Sequence, residues 1–335
     1  MKVFNVLPLP LALFTLLAGC ATQAPSLNDT LPKLTLQSVL PTVTANEHCN
    51  AQIDSDIVYG IGYQLYEEGE FKDAKTCMVM AAPKHTRAFC YLSMIARYDD
   101  TQTADQRNTE AFNYMAYAAM QNDWCAEYGM YESYKYGRVG AKQDTALATR
   151  WLERSSLHGY AESQQILIEQ YTQQGNLSAA YAWTRIMAKA EDATAGDKLK
   201  ARMTAAQIAE GDKLYSELLT QVTSKKTLRE EAREEDVGRY SADIHQHYPD
   251  TFKGLSSAER YDYVKQTMLT AIEQPFTKSR GDVMSYIVIN RAALLKKPDA
   301  NIANDQRIVS LMEDEELSVD ETIESGLLVV SKFYK

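Results

Sequence analysis

Residues 128–161 read YGMYESYKYGRVGAKQDTALATRWLERSSLHGYA, and this stretch decides the fold. Two segments with apolar and small residues at helical spacing flank a break that contains Gly137 and Gly140. Glycine just after an apolar periodic segment is a helix stop signal. In the second segment Ala148 and Trp151 share one helical face, where the small residue admits a neighbouring helix and the large one fills the groove. The stretch predicts two helices packed side by side.

The small-and-large pair of this stretch recurs along the chain. Its four copies begin at residues 73, 110, 147 and 179, which gives spacings of 37, 37 and 32 residues. They read Asp73-Ala74-x-x-Cys77, Glu110-Ala111-x-x-Tyr114, Leu147-Ala148-x-x-Trp151 and Ala179-Ala180-x-x-Trp183. A first helix is predicted upstream of each copy, over residues 57–68, 87–98, 125–136 and 161–171. Repetition at this period indicates stacked helix pairs.

One of these units resembles a known repeat family. The positions that carry the resemblance are Tyr128-Gly129, Tyr134, Gly137, Gly140, Asp144, Ala148, Trp151, Ser155-Ser156, Gly159 and Ala161. They look like the Sel-one-like repeat, which is related to the tetratricopeptide repeat. The other three units lack one or both turn glycines or have a shortened turn. The resemblance implies an all-α protein in which residues 52–195 form a right-handed α-solenoid of antiparallel helix pairs, with the first helices on the concave face.

The first twenty residues have the pattern of an export signal. Lys2 precedes an apolar run over residues 3–17, which is short for a transmembrane helix. The following Leu17-Ala18-Gly19-Cys20 resembles the lipobox of bacterial lipoproteins. This resemblance implies removal of residues 1–19 and acylation of Cys20 with three chains, which is enough for permanent anchoring. A plain secretory leader is the alternative. Because Ala21 and not Asp follows Cys20, the resemblance implies an outer-membrane anchor with the body facing the periplasm.

Residues 20–51 are rich in Thr, Ser, Asn and Gln and lack a helical period. We predict a lipidated tether, which as a coil would span roughly 30 Å. The alternative is that the apolar alternation over residues 31–43 docks on the body.

Two helical regions are predicted after the repeats. Residues 196–240 have the pattern of a long helical segment, and residues 241–335 that of a helical C-terminal region in which Ser256 and Glu259 form a capping box. The Tyr-Ile-Val-Ile sequence at residues 286–289 is rich in β-branched residues, and a strand is the alternative there.

Composition and motifs exclude several functional classes. The formal net charge is −10 and the sequence has no basic stripe, so we expect no nucleic-acid partner. His245-x-His247 lacks a third ligand at a suitable spacing, and the acidic run at residues 313–316 lacks the spacing of a calcium loop. The sequence contains no phosphate-binding loop, serine-nucleophile elbow or zinc-protease motif. We therefore predict no metal, no cofactor and no enzyme activity.

Four cysteines follow the lipobox, and an even number in an exported protein predicts two disulfides. Cys77 and Cys90 lie symmetrically about the turn at residues 83–84, which favours pairing them and leaves Cys49 to pair with Cys125. The rival arrangement pairs Cys90 with Cys125, at nearly equivalent positions of adjacent units, and Cys49 with Cys77.

Tyrosines form two rows on the predicted first helices. The rows are Tyr59, Tyr63 and Tyr66 in the first unit, and Tyr128, Tyr131 and Tyr134 in the third. In the implied solenoid these rows line the concave face, where rigid amphipathic rings suit the binding of a partner. The alternative is that the rings fill the spaces between units and direct their hydroxyls to solvent.

These features predict a scaffold that binds protein partners in the cell envelope, as part of an assembly, export or cell-wall complex, and the lipid bilayer through Cys20. The alternative is a ligand-binding or enzymatic C-terminal region carried on the repeats. Its candidate residues are His245, His247, Arg280 and Asp282.

Overall fold

The computed structural model describes residues 26–188, 194 and 196–335. These residues form sixteen α-helices and three short 3-10 helices, and none of them lies in a strand. The all-α prediction is confirmed, and residues 286–289, for which a strand was the alternative, lie inside a helix. The predicted signal peptide and Cys20 lie outside the described residues.

The region that the sequence predicts to hold the repeats, and which we call the repeat region, consists of eight helices that follow a four-residue helix α1 (Leu36–Val39). They are α2 (Ser55–Glu67), α3 (Phe71–Ala81), α4 (Arg87–Ala96), α5 (Ala104–Met120), α6 (Trp124–Tyr136), α7 (Thr145–Leu157), α8 (Ala161–Gln173) and α9 (Leu177–Met187). Within each predicted unit the two helices pack on each other, α2 on α3 through to α8 on α9. Consecutive units contact each other through α3 and α4, α5 and α6, and α7 and α8.

The recurring small and large residues lie at these helix contacts. The four aligned alanines, Ala74, Ala111, Ala148 and Ala180, are buried, as are the large partners Cys77, Tyr114, Trp151 and Trp183. Gly137 ends α6 in the left-handed conformation, with φ of 60°, which a residue with a Cβ adopts only at a cost. The sequence pattern thus places the helix-packing positions correctly.

The segment over residues 26–53, which we call the strap, lies against the repeat region. Leu31, Val39 and Cys49 of the strap are buried in the same core as α2 to α9. At its start, Arg154 of α7 donates to the side-chain oxygen of Asn28 over 2.7 Å. The structure therefore shows docking, the second of the two alternatives for this segment, and not a free tether over residues 26–51.

The disulfides join Cys49 to Cys77 and Cys90 to Cys125, with Cα atoms 5.5 and 6.4 Å apart. The favoured pairing of Cys77 with Cys90 is wrong and the rival is correct. Symmetry about a turn places two residues at similar heights on consecutive helices, but it does not fix the side to which each Cβ points. Cys77 points to the strap, whereas Cys90 on α4 points to α6, the next first helix.

The remaining helices turn back onto the first unit. They are α10 (Asp197–Lys200), α11 (Ala205–Leu218), α12 (Lys225–His247), α13 (Ser257–Ile272), α14 (Arg280–Lys296), α15 (Gln306–Glu313) and α16 (Val319–Phe333). α11 packs on α9, and the 23-residue α12 then runs back to pack along α2. A Cβ added at Gly60 of α2 would overlap the carbonyl oxygen of Gly238 of α12, so the two backbones are in contact.

The C-terminal half of α12 belongs to a second core. Val237, Tyr240 and Ile244 pack there with buried residues of α13 to α16. α12 passes through residue 240, where the sequence analysis places a boundary, and ends at His247 just before Pro249. The predicted capping box of Ser256 and Glu259 starts α13. In the described part of the chain, no helix is long and apolar enough to cross a membrane.

Candidate partner-binding surface

The tyrosine row of α2 packs against the next first helix. Tyr91 of α4 lies at ring-centroid distances of 6.3 Å from Tyr59, 5.6 Å from Tyr63 and 5.3 Å from Tyr66. All three contacts are edge-to-face, which is a favourable geometry for aromatic pairs. These rings therefore fill the space between the first two units, as the alternative reading of the tyrosines expects.

Helix α12 packs on Tyr59 and Tyr63 of the same row. The Arg239 guanidinium lies 3.9 Å from the centre of the Tyr63 ring, and Tyr59 is 2% exposed. Burial raises the pKa of Tyr59, and it raises the pKa of Tyr91 to about 12, so both phenols stay protonated at neutral pH. Among the described residues the Tyr59 hydroxyl has no hydrogen-bond partner. The side of α2 that carries Tyr59 and Tyr63 is thus occupied by the chain's own helix.

The tyrosine row of α6 has a different environment. Tyr134 is 8% exposed and packs edge-to-face on Phe112, while Tyr131 is 3% exposed and its hydroxyl accepts from Lys135 over 2.6 Å. Tyr128 is only half-buried, and its ring centre lies 5.0 Å from that of Tyr160. Of the three tyrosines in this row, Tyr128 is the one a partner can reach most easily.

Two residues that the sequence analysis missed extend this row. The ring of Trp124 lies parallel to that of Tyr160, with centroids 4.9 Å apart, and the Arg87 guanidinium lies 3.7 Å from the tryptophan ring. Arg87, Trp124, Tyr160, Tyr128 and Tyr131 form one continuous line, which we call the aromatic stack. Residues 87, 124 and 160 all lie at the start of a first helix, 37 and 36 residues apart, so the repeat register was the signal that could have found them.

Glu162 fixes the hydroxyl end of the aromatic stack. Its carboxylate accepts from the Tyr128 hydroxyl over 3.0 Å and from the Tyr160 hydroxyl over 3.1 Å. Burial, followed by the hydrogen bond to this carboxylate, raises the pKa of Tyr160 to about 12. The two phenols remain neutral donors, so the edge of the stack presents oriented hydroxyls beside an exposed carboxylate.

A cavity of about 300 Å³ separates the other end of the stack from α12. Trp124 lines it on one side and Glu231 and Glu235 of α12 line it on the other. Arg87 pairs with Asp123 over 2.6 Å and with Glu235 over 3.5 Å, and burial raises the pKa of Glu235. The cavity is therefore polar and lies between the open stack and the covering helix.

A buried carboxylate supports the stack from behind. Glu127 of α6 is fully buried and is held by Arg154 of α7 over 2.8 Å and by His158, the residue after α7, over 2.7 Å. Burial raises the pKa of Glu127, and the bonds to His158 and Arg154 oppose that rise. This cluster joins α6 to α7 and makes no contact that would give it a chemical role of its own.

The remaining candidate residues do not converge. Cys90, Asp123 and Cys125 lie close enough to suggest a metal site, but both cysteines are in a disulfide and have no thiolate to offer. Within the described residues, no hydrogen bond or ion pair joins any two of the C-terminal candidates. Arg280 pairs with Asp243 over 2.7 Å, and Asp282 accepts from the backbone amides that start α14. His245 is half-buried and His247 is exposed against Tyr248.

No family model, curated protein or solved structure matches this chain.

Proposed function

We propose that this chain is an exported lipoprotein, anchored through acylated Cys20, that holds protein partners at the membrane. Residues 52–195 would form a right-handed α-solenoid of antiparallel helix pairs of the Sel-one-like or tetratricopeptide-like type. The regular order of helix contacts from α2 to α9 supports this, as do the buried alanines at the repeat period. Stacked repeats make extended surfaces that suit protein recognition.

One observation carries the binding role. The inner surface of the first unit already holds a helix, α12, while the aromatic stack beside it stays half-exposed. This arrangement supports binding of a partner segment along the stack next to α12, in the way that grooves between helices receive an amphipathic helix. Trp124, Tyr128 and Tyr160 would provide the ring contacts, and the Glu162 carboxylate would favour a basic residue of the partner.

The proposed location is the periplasmic side of the outer membrane. Two disulfides support an oxidising compartment, since such bonds persist in exported proteins and are rare in reducing ones. The lipobox-like sequence ending at Cys20 supports the anchor. A bilayer-bound scaffold raises the local concentration of whatever it holds.

The experiment is site-specific photocrosslinking in intact cells. A photoreactive phenylalanine analogue replaces Tyr128 in one variant and Tyr136 in a control, because Tyr136 is an exposed tyrosine at the other end of the same helix. We expect a discrete crosslinked protein from position 128, lost when Trp124→Ala and Tyr160→Ala are added, and none from position 136. Equal crosslinking from both positions would contradict the proposed surface. Mass spectrometry of the mature N-terminus tests the acylation separately.

A further inference from the structure

The strap has a fixed path across the second helices. It begins at α7, where Arg154 holds Asn28, and α1 then packs on α5. Further along, Asn46 donates to Asp73 at the start of α3 over 2.9 Å, and the disulfide from Cys49 to Cys77 ties it covalently to the same helix. The chain therefore emerges from the body at one defined corner, beside the last turn of α7.

That corner lies close in sequence to the proposed lipid. Six peptide steps separate Cys20 from Ser26, the first described residue, and at full extension they span about 20 Å. Had the whole strap been free, the body could have moved much farther from the anchor. Because residues 26–53 are docked, the corner of the body that holds the start of the strap stays within about 20 Å of the acylated cysteine.

The same corner contains the start of α12. The amide of Thr223 donates to the carbonyl oxygen of Leu157, the last residue of α7, over 2.8 Å. Two residues later α12 begins with Lys225 and Lys226, followed by Arg229, and all three are exposed. From residue 221 to residue 229 the sequence contains these three basic residues and no acidic one, and the acidic Glu230 and Glu231 follow directly. Lys225 donates to the carbonyl oxygen of Met187 over 3.1 Å, and Lys226 lies 3.8 Å from Glu230 one turn further along α12, so both exposed lysines also have partners within the chain.

We propose that this corner, formed by the start of the strap, the end of α7 and the first turns of α12, faces an anionic bilayer. The inference rests on the proposed acylation of Cys20. The short segment between Cys20 and Ser26 brings the corner to the headgroups. The three basic side chains there match the negative charge of the lipid, in a chain whose net charge is −10. A 23-residue helix is about 35 Å long, so α12 would hold the C-terminal helices farther from the lipid.

The test measures which end of α12 lies near the headgroups. A single cysteine replaces the exposed Gln121, whose neighbour Asn122 accepts from Arg154 at the corner, or replaces His247 at the far end of α12. Each carries a fluorophore, and the full-length lipidated protein is placed in vesicles of phosphatidylethanolamine and phosphatidylglycerol with a nitroxide on the headgroup. We expect loss of fluorescence at position 121 and none at position 247. Equal loss at both positions, or greater loss at 247, would overturn the proposal.

Two further experiments distinguish the contribution of the basic residues to the quenching from that of the lipid anchor. The double variant Lys226→Glu and Arg229→Glu should reduce the quenching at position 121 in anionic vesicles. The control, Lys253→Glu and Lys296→Glu, makes the same change of charge at exposed C-terminal residues and should not reduce it. Equal effects of the two pairs would overturn the role of the basic corner. Acylation is measured independently, by mass and by flotation with vesicles. If Cys20 is not acylated in cells, the proposed lipid anchor is wrong. The orientation can still be tested, with a hexahistidine tag at position 20 that binds nickel-chelating lipid.

Discussion

The tyrosine rows of α2 and α6 are alike in sequence and different in the folded chain. On α2, Tyr59 and Tyr63 lie under α12 and against Tyr91. On α6, Tyr128 stays half-exposed in the aromatic stack. Both rows lie along one face of a first helix, so their position on the helix does not explain the difference. A helix more than 160 residues later in the chain than α2 packs on Tyr59 and Tyr63, whereas on α6 Tyr131 and Tyr134 are buried and Tyr128 stays half-exposed.

The largest effect should come from removing a ring of the covered row. Tyr59→Ala should lower the free energy of unfolding by about 4 kcal/mol, because a fully buried aromatic side chain leaves a cavity. Tyr128→Ala, in the open row, should cost about 1 kcal/mol, mainly through lost ring contacts. Urea denaturation followed by circular dichroism measures both. Similar losses in the two variants would mean that α12 does not cover α2 as described.

A smaller loss of stability should come from adding a methyl group between α2 and α12. Gly60→Ala should cost about 2 kcal/mol, because the added methyl group meets the backbone of Gly238 and one helix has to shift. Gly129→Ala on α6 is the matched control, since there the methyl group meets the flexible side chain of Met115. We expect it to change stability by less than about 1 kcal/mol. An equal loss at both glycines, in the same urea experiment, would argue against the close backbone contact.

The pH dependence of stability should reveal the buried carboxylate behind the open row. Because burial raises the pKa of Glu127 above its usual 4.5, the folded state binds its proton more tightly than the unfolded state does. The contribution of Glu127 to stability is therefore complete below pH 4.5 and declines as the pH rises through the folded-state pKa. Glu127→Gln should remove this decline. Urea midpoints of both proteins from pH 4 to 7 test it, and parallel curves would contradict the assignment.

The smallest loss of stability should come from removing a cation that lies over a tyrosine ring. Arg239→Gln should cost about 1 kcal/mol, because the Arg239 guanidinium is partly buried against Tyr63. Arg138→Gln removes a cation 4.8 Å from the exposed ring of Tyr136 and should cost less than about 0.5 kcal/mol. Thermal denaturation of the two variants sharpens the contrast between covered and open rings. A larger loss for Arg138→Gln would reverse it.

Local pattern predicted the helices and their contacts. The small and large residues at the repeat period, such as Ala148 and Trp151, report directly on helix packing and lie where the sequence places them. The missed features all depend on where distant segments return. The strap docks through a few apolar residues such as Leu31 and Val39, which also occur in unstructured segments. The disulfide pairing depends on how α3 is rotated about its axis, and the packing on α2 depends on the path of α12. The spacing of residues along the sequence determines neither.

The aromatic stack was only partly predictable for the same reason. Tyr128 and Tyr131 belong to a row visible at helical spacing on one helix. Trp124 and Tyr160 join them across a gap between units, and only the register of successive helix starts relates them. A search for aromatic residues at equivalent positions of different units would have found them, whereas a search along one helix does not.

The return of α12 onto α2 also affects how the molecule comes apart. A linear array of repeats has two free ends, and its terminal units open first because each has a neighbour on only one side. Here α2, the first helix of the first unit, has α3 on one side and α12 on the other, and α12 in turn belongs to the core of the C-terminal helices. Amide protons of α2 should therefore exchange with solvent as slowly as those of α6, and the described helices should melt in one cooperative step.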